Sequence, residues 1–207
     1  MSNVVRSAMV QTRWTGDKES MIDLHEQYLR EAASQGAQIM CFQELFYGPY
    51  FCQVQEIEYY GYAEAIPDGP TVKRFQELAS ELGMVLVLPM YEKEKEGFLY
   101  NTAAVIDADG TYLGKYRKTH IPQVNGFWEK FYFILFQQNI FSGVKTVYNL
   151  LVYQMRNSSC VHITCILYYL TFDIVFRQKT NRITLDPHVD ISGDNNDLSF
   201  FVLFSFS

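Results

Sequence analysis

From Ile134 to Ser207 the chain contains no alanine, no glutamate and no tryptophan, whereas the first 133 residues hold ten alanines and thirteen glutamates. Alanine and glutamate are strong helix formers and among the commonest residues of ordinary domains, so their joint loss argues against one continuous selected fold. Cysteine is scarce too. Cys41, Cys52, Cys160 and Cys165 lack the spacing of a disulfide framework, and free thiols in a reducing, cytoplasmic setting are expected. No basic region followed by an apolar run and a cleavage site opens the chain, so no leader is expected. The one long apolar run, Cys160 to Phe176, is short for a membrane span and carries His162 and Asp173, so no membrane partner is expected. A positive surplus is also missing: 17 Lys and Arg stand against 23 Asp and Glu, a net charge of -6 that argues against nucleic acid. Cys160, His162 and Cys165 have no evident fourth ligand, so no metal or other cofactor is expected.

What is present suits a globular protein with a real core, at 207 residues and 48% hydrophobic content. Val4 to Gln11 reads as a first strand. Thr15-Gly16-Asp17 offers helix-capping chemistry, and Met21, Leu24, Tyr28 and Ala32 recur at helical spacing up to the stop at Gly36. Ile39 to Phe42 reads as a buried strand parallel to the first across a right-handed crossover. Phe46 to Tyr62 is aromatic and irregular, a long loop of the kind that carries binding groups. After the turn Pro67 to Pro70, the stripe Phe75, Leu78, Ala79, Leu82 predicts a second helix ending at Gly83, and Met84 to Met90 a further strand. Tyr91 to Gly97 is expected to be a solvated, charged excursion rather than a site. Asn101 to Asp107 and Thr111 to Lys118 read as strands joined by a turn in which Gly110 takes positive φ. The order β-α-β-α-β-β predicts an α/β fold with helices on a mixed sheet.

Two stretches place opposite charges at strand ends. In Met40 to Pro49, Glu44 follows an apolar strand where Gly48 and Pro49 force a turn. In Gly114 to Pro122, cations precede a proline that cannot donate to a sheet ladder, so the strand is expected to end there. A turn-capping carboxylate with its salt-bridge partner would look the same.

The segments Cys41-Phe42-Gln43-Glu44, Tyr100-Asn101-Thr102-Ala103, Gly114 to Pro122 and Phe127 to Tyr132 resemble the nitrilase superfamily of carbon-nitrogen hydrolases, in its N-carbamoyl amidohydrolase branch. The likeness covers Val4 to Phe133. It implies a four-layer α-β-β-α sandwich and a Glu-Lys-Cys triad that cleaves non-peptide C–N bonds of small molecules. By resemblance Glu44 matches the general base, Lys118 the lysine that stabilises the oxyanion, and Glu129 the second glutamate, although Glu129-Lys130 also reads as a surface pair. Tyr50 and His120 are the candidate substrate-binding residues, with His120 expected to bond its loop and Asn101 to order the neighbouring strand. A thiol at neutral pH is mostly protonated, which is why a carboxylate and an ammonium are needed beside it.

The family's nucleophile lies a few tens of residues beyond the lysine, in a stretch resembling Cys-Tyr-Asp-Arg, and no such stretch occurs here. Neither Cys160 nor Cys165 has those neighbours, and both read as inert, apolar-packed thiols. We therefore expect residues 1–133 to be the N-terminal half of a hydrolase domain and 134–207 a divergent tail from an altered reading, such as a retained intron, alternative exon or frameshift. Val144 to Met155 and Val161 to Phe176 have strand-forming composition, Asp186 to Asp197 reads as a loop, and Phe200 to Phe206 as an aggregation liability. Two classes stay open: a thiol hydrolase of carbamoyl, amide or related substrates, or an inactive fragment that binds a ligand or a full-length homologue. The resemblance also implies homo-oligomers.

Overall fold

The computed structural model describes residues 5–135 and 200–206, and the tail segments 144–155, 161–176 and 186–197 lie outside these. The first strand, β1, runs Val5–Gln11 and is followed by helix α1, Lys18–Ser34. Asp17 caps α1, its carboxylate accepting from the Ser20 amide at 2.9 Å, which satisfies one of the amides left unpaired at a helix start. The face of α1 that is buried carries Met21, Ile22, His25, Leu29 and Ala32. This corrects the expected stripe, since Leu24 and Tyr28 are only half-buried and His25 is buried in their place.

Strand β2, Ile39–Cys41, pairs parallel to β1, as the crossover predicts. The loop that follows is less irregular than expected, containing 3₁₀ turns at Phe51–Gln53 and Ile57–Tyr62. Helix α2, Pro70–Leu82, starts on a proline and ends on Gly83 at φ 64°, a left-handed cap that glycine takes without a Cβ clash. Strand β3, Val85–Lys95, pairs parallel to β2 and antiparallel to β4, Phe98–Ile106, which pairs with β5, Tyr112–Arg117. Between β4 and β5, Gly110 sits at φ 86°, and a Cβ there would lie 2.6 Å from the Gln76 carbonyl.

Two expectations need correction here. The excursion from Tyr91 is solvated only in part: residues 93–98 are exposed at the tip of the β3–β4 hairpin, but Tyr91 and Glu92 are buried in β3, and Lys115 and Arg117 on β5 neutralise Glu92. Strand β5 ends at Arg117, well before Pro122. Beyond it lie the short ribbon of β6, Gln123–Val124, and β7, Phe127–Trp128, and the single turn α3, Glu129–Tyr132. Phe200–Phe206, read above as an aggregation liability, forms β8 and pairs antiparallel along all of β1 as a sixth strand.

The sheet order is β5-β4-β3-β2-β1-β8. Side chains alternate across it, and the register places Ala8, Met40, Leu86 and Ile106 in one row, packed with Ile22, Leu29, Val72 and Phe75 of the helices. His25, Phe42, Phe46 and Phe75 pack ring against ring in this core, with centroids 5.0 to 5.4 Å apart. The opposite face carries a second buried row, Cys41, Val87 and Val105. A helix layer on one face of a mixed sheet is half of the expected sandwich.

Candidate active site

Glu44 stands just beyond β2, where the chain turns at Leu45, a non-glycine residue at φ 53° whose side chain is buried. Such a conformation is uncommon for leucine and persists here because surrounding packing fixes it. Lys118 stands just beyond β5, and Glu129 opens α3. The three meet. Lys118 Nζ donates to both oxygens of Glu129, at 2.9 and 2.8 Å, and to Glu44 Oε1 at 3.2 Å. Glu129 is 1% exposed, so the alternative of a surface pair with Lys130 does not hold.

Tyr50 and Asn101 complete the cluster. The Tyr50 hydroxyl donates to Glu129 Oε1 at 2.9 Å, and Asn101 Nδ2 donates to Glu44 Oε1 at 2.7 Å. Asn101 therefore does more than order its strand, although its carbonyl also accepts the Lys118 amide at 2.8 Å. His120 is exposed and its Nδ1 lies 3.3 Å from Thr119 Oγ1, in keeping with a residue bonded to its own loop.

Charge in this cluster is balanced by direct contact. Burial opposes the ammonium of Lys118, but the carboxylates of Glu44 and Glu129 outweigh it and raise its pKa. Burial raises the pKa of Glu129; Lys118 and Tyr50 act the other way without cancelling it, and Glu44 adds to it. Burial also raises the Tyr50 phenol well above its ordinary range, helped by the two carboxylates. Such an arrangement holds one positive donor and two acid groups, one of them half exposed, against any carbonyl that enters.

Reading motifs alone misses Cys52. It is 0% exposed and sits within electrostatic range of Glu129, Glu44, Lys118 and Tyr50. Burial first, then the two carboxylates, raise its thiol pKa. Cys41 is buried as well, and desolvation pushes it up to about 12. The signal that could have found Cys52 is its position two residues after Tyr50 in the aromatic loop. Cys160 and Cys165 lie outside the described residues. Among the described residues no group of His, Cys, Asp and Glu could hold a metal, and no helix is long and apolar enough to cross a membrane.

An acid, an amine and a second acid are thus gathered beyond the ends of β2, β5 and β7 on this α/β frame. The family model described as carbon-nitrogen hydrolase matches residues 6–157, and the chain belongs to that family. It is 45% identical over 129 residues to N-carbamoylputrescine amidase of Oryza sativa subsp. japonica, covering 62% of this chain and 42% of that one. It is 36% identical over 133 residues to citrullinase of Francisella tularensis, covering 64% and 46%. Among solved structures, the carbon-nitrogen hydrolase of Helicobacter pylori G27 superposes with a TM-score of 0.60 at 30% identity, over 65% of this chain and 46% of that one. The chain thus spans less than half the length of these relatives.

Proposed function

We propose that the chain carries the acid-base and oxyanion-binding part of a site that hydrolyses small N-carbamoyl or amide substrates, with Glu44 as general base, Lys118 as oxyanion donor and Glu129 as the group that orients Lys118. The observation that carries this reading is Lys118 Nζ held between Glu44 and Glu129 within 3.2 Å. Tyr50 and His120 border the substrate in the same proposal. In the full reaction a thiol adds to the substrate carbonyl, its proton passing to the carboxylate, while the carbonyl oxygen becomes negative beside the ammonium. Ammonia leaves with that proton from a primary amide or carbamoyl group, and water then releases the acyl group. For a carbamoyl substrate the sum is amine, carbon dioxide and ammonia from the ureide and one water.

A second reading is favoured by Cys41 and Cys52, both buried with thiols held protonated. Under it the chain binds ligand, or a full-length homologue, without turnover, and 134–207 is a divergent tail. The test combines ammonia release with calorimetric binding, using N-carbamoylputrescine and N-carbamoyl-β-alanine as probes. Ammonia release lost in Lys118→Ala supports hydrolysis, and its loss in Cys160→Ala would assign the thiol to the tail. Saturable binding that needs Lys118, without ammonia, supports the second reading, as does co-purification with an intact homologue. Absence of both binding and turnover overturns the two together.

A further inference from the structure

Asn101 sits in the interior of β4, where asparagine is a poor strand former, and is 1% exposed. Its backbone already serves the ladder, pairing with Tyr91 on one side and accepting from the Lys118 amide on the other. A residue kept only for the strand would need no amide side chain. That side chain instead reaches Glu44, 57 positions earlier in the chain.

The geometry points to Asn101 as the positioning residue of the base: its side-chain amide and the Lys118 ammonium hold Glu44 by one oxygen, Oε1, and leave Oε2 to take the proton. This rests on the reading of Glu44 as general base. Asn101 Nδ2 lies 2.7 Å and Lys118 Nζ 3.2 Å from the same Oε1, and among the described residues no bond reaches Oε2. A carboxylate whose two oxygens differ this way has one anchored by donors and one available as acceptor. The same residue fixes Lys118 through its carbonyl, so base and oxyanion donor are registered from one position on β4.

The orientation of the amide is determined by charge. A carboxylate only accepts, so the NH₂ must face Glu44, and turning the amide over would set oxygen against oxygen. Asn101 Oδ1 is buried without a hydrogen-bond partner, a cost that a strand-ordering residue has no reason to carry. The other ionisable groups facing Glu44 are Lys118, Glu129, Tyr50 and Cys52.

The test is proton NMR of the full chain at neutral pH, with the Asn101 side-chain NH₂ assigned through Asn101→Asp. The NH₂ proton held by Glu44 should lie downfield of its partner and exchange with solvent on the order of tenfold more slowly than the same proton in Glu44→Ala. Glu44→Gln, whose amide oxygen still accepts, should keep part of that protection. NH₂ signals that are unaffected by Glu44→Ala overturn the assignment. No step requires turnover, so a chain that releases no ammonia yet shows this protection loses the hydrolytic reading and keeps the positioning one.

Discussion

Arg117 and Lys118 are consecutive, yet they serve opposite faces of the sheet. Arg117 Nε and Nη2 donate to Glu92 at 2.9 and 2.6 Å on the helix-covered face, while Lys118 turns to Glu44 and Glu129 on the other. Lys115 and Thr102 also donate to Glu92, and Arg117 stacks over the Tyr100 ring at 3.8 Å. This buried network acts as a register pin, because a one-residue slip of β5 would exchange the two faces. Removing one partner strands a buried charge, so Glu92→Leu should destabilise by about 3–5 kcal/mol. Glu92→Leu with Arg117→Met should recover part of that loss in urea denaturation, and equal loss in the single and double variants would show that the pair is not coupled.

Lys118 is charged because of its acid neighbours, and Glu129 offers it both oxygens. Glu129→Gln keeps the shape and removes the charge. The Lys118 pKa should therefore fall, since burial continues to oppose the ammonium while one compensating carboxylate is gone. Reductive methylation followed across alkaline pH by mass spectrometry should show Lys118 reacting at lower pH in the variant. An unmoved profile would mean that Glu44 alone sets the charge of Lys118.

Much of this was legible in the chain itself. Apolar periodicity locates α2, the Asp107 to Gly110 turn announces the β4–β5 hairpin, and the motifs single out Glu44, Lys118 and Glu129, which the fold brings into contact. The failures share one cause. Glu92 looked solvated because alternating Glu and Lys gives no hint that Arg117 and Lys115 lie across two strands to neutralise it. The stripe Met21, Leu24, Tyr28, Ala32 passes over His25, because its burial depends on rings from Phe42 and Phe46, on other elements. Asn101 joins the cluster through Glu44, far away in sequence, and Cys52 comes within range of Glu129 and Lys118 only through the fold.

Cys52 provides a test of the electrostatics. Its thiol is fully buried and lies within range of two carboxylates and one ammonium, so the protonated form is favoured. Iodoacetamide at neutral pH should leave Cys52 and Cys41 unmodified in the native chain and alkylate both in urea, as read by peptide mass spectrometry. Glu129→Gln removes one of the carboxylates that hold the proton on Cys52 and should lower its pKa. Rapid alkylation of Cys52 in the native, unsubstituted chain would contradict the burial that sets this pKa.

His25 gives the fold an acid-sensitive point. Its Nδ1 lies 2.7 Å from the Met21 carbonyl, Nε2 has no partner, and the ring is packed among Phe42 and Phe46. Burial lowers its pKa from 6.5 to about 4, offset only in part by the Met21 carbonyl. Between those values the unfolded chain binds a proton that the folded chain refuses, so stability is full above about pH 6.5 and falls as pH drops toward 4. The loss over that window is on the order of 3 kcal/mol. Burial opposes the ionised form of Glu92, but Arg117, Lys115 and Thr102 lower its pKa, so its contribution is lost at still lower pH, whereas Glu129, whose pKa burial raises, gains stability as pH falls and opposes the histidine. Urea midpoints measured across this range should fall steeply in the unsubstituted chain and more shallowly in His25→Leu, whereas parallel profiles would place the acid sensitivity elsewhere.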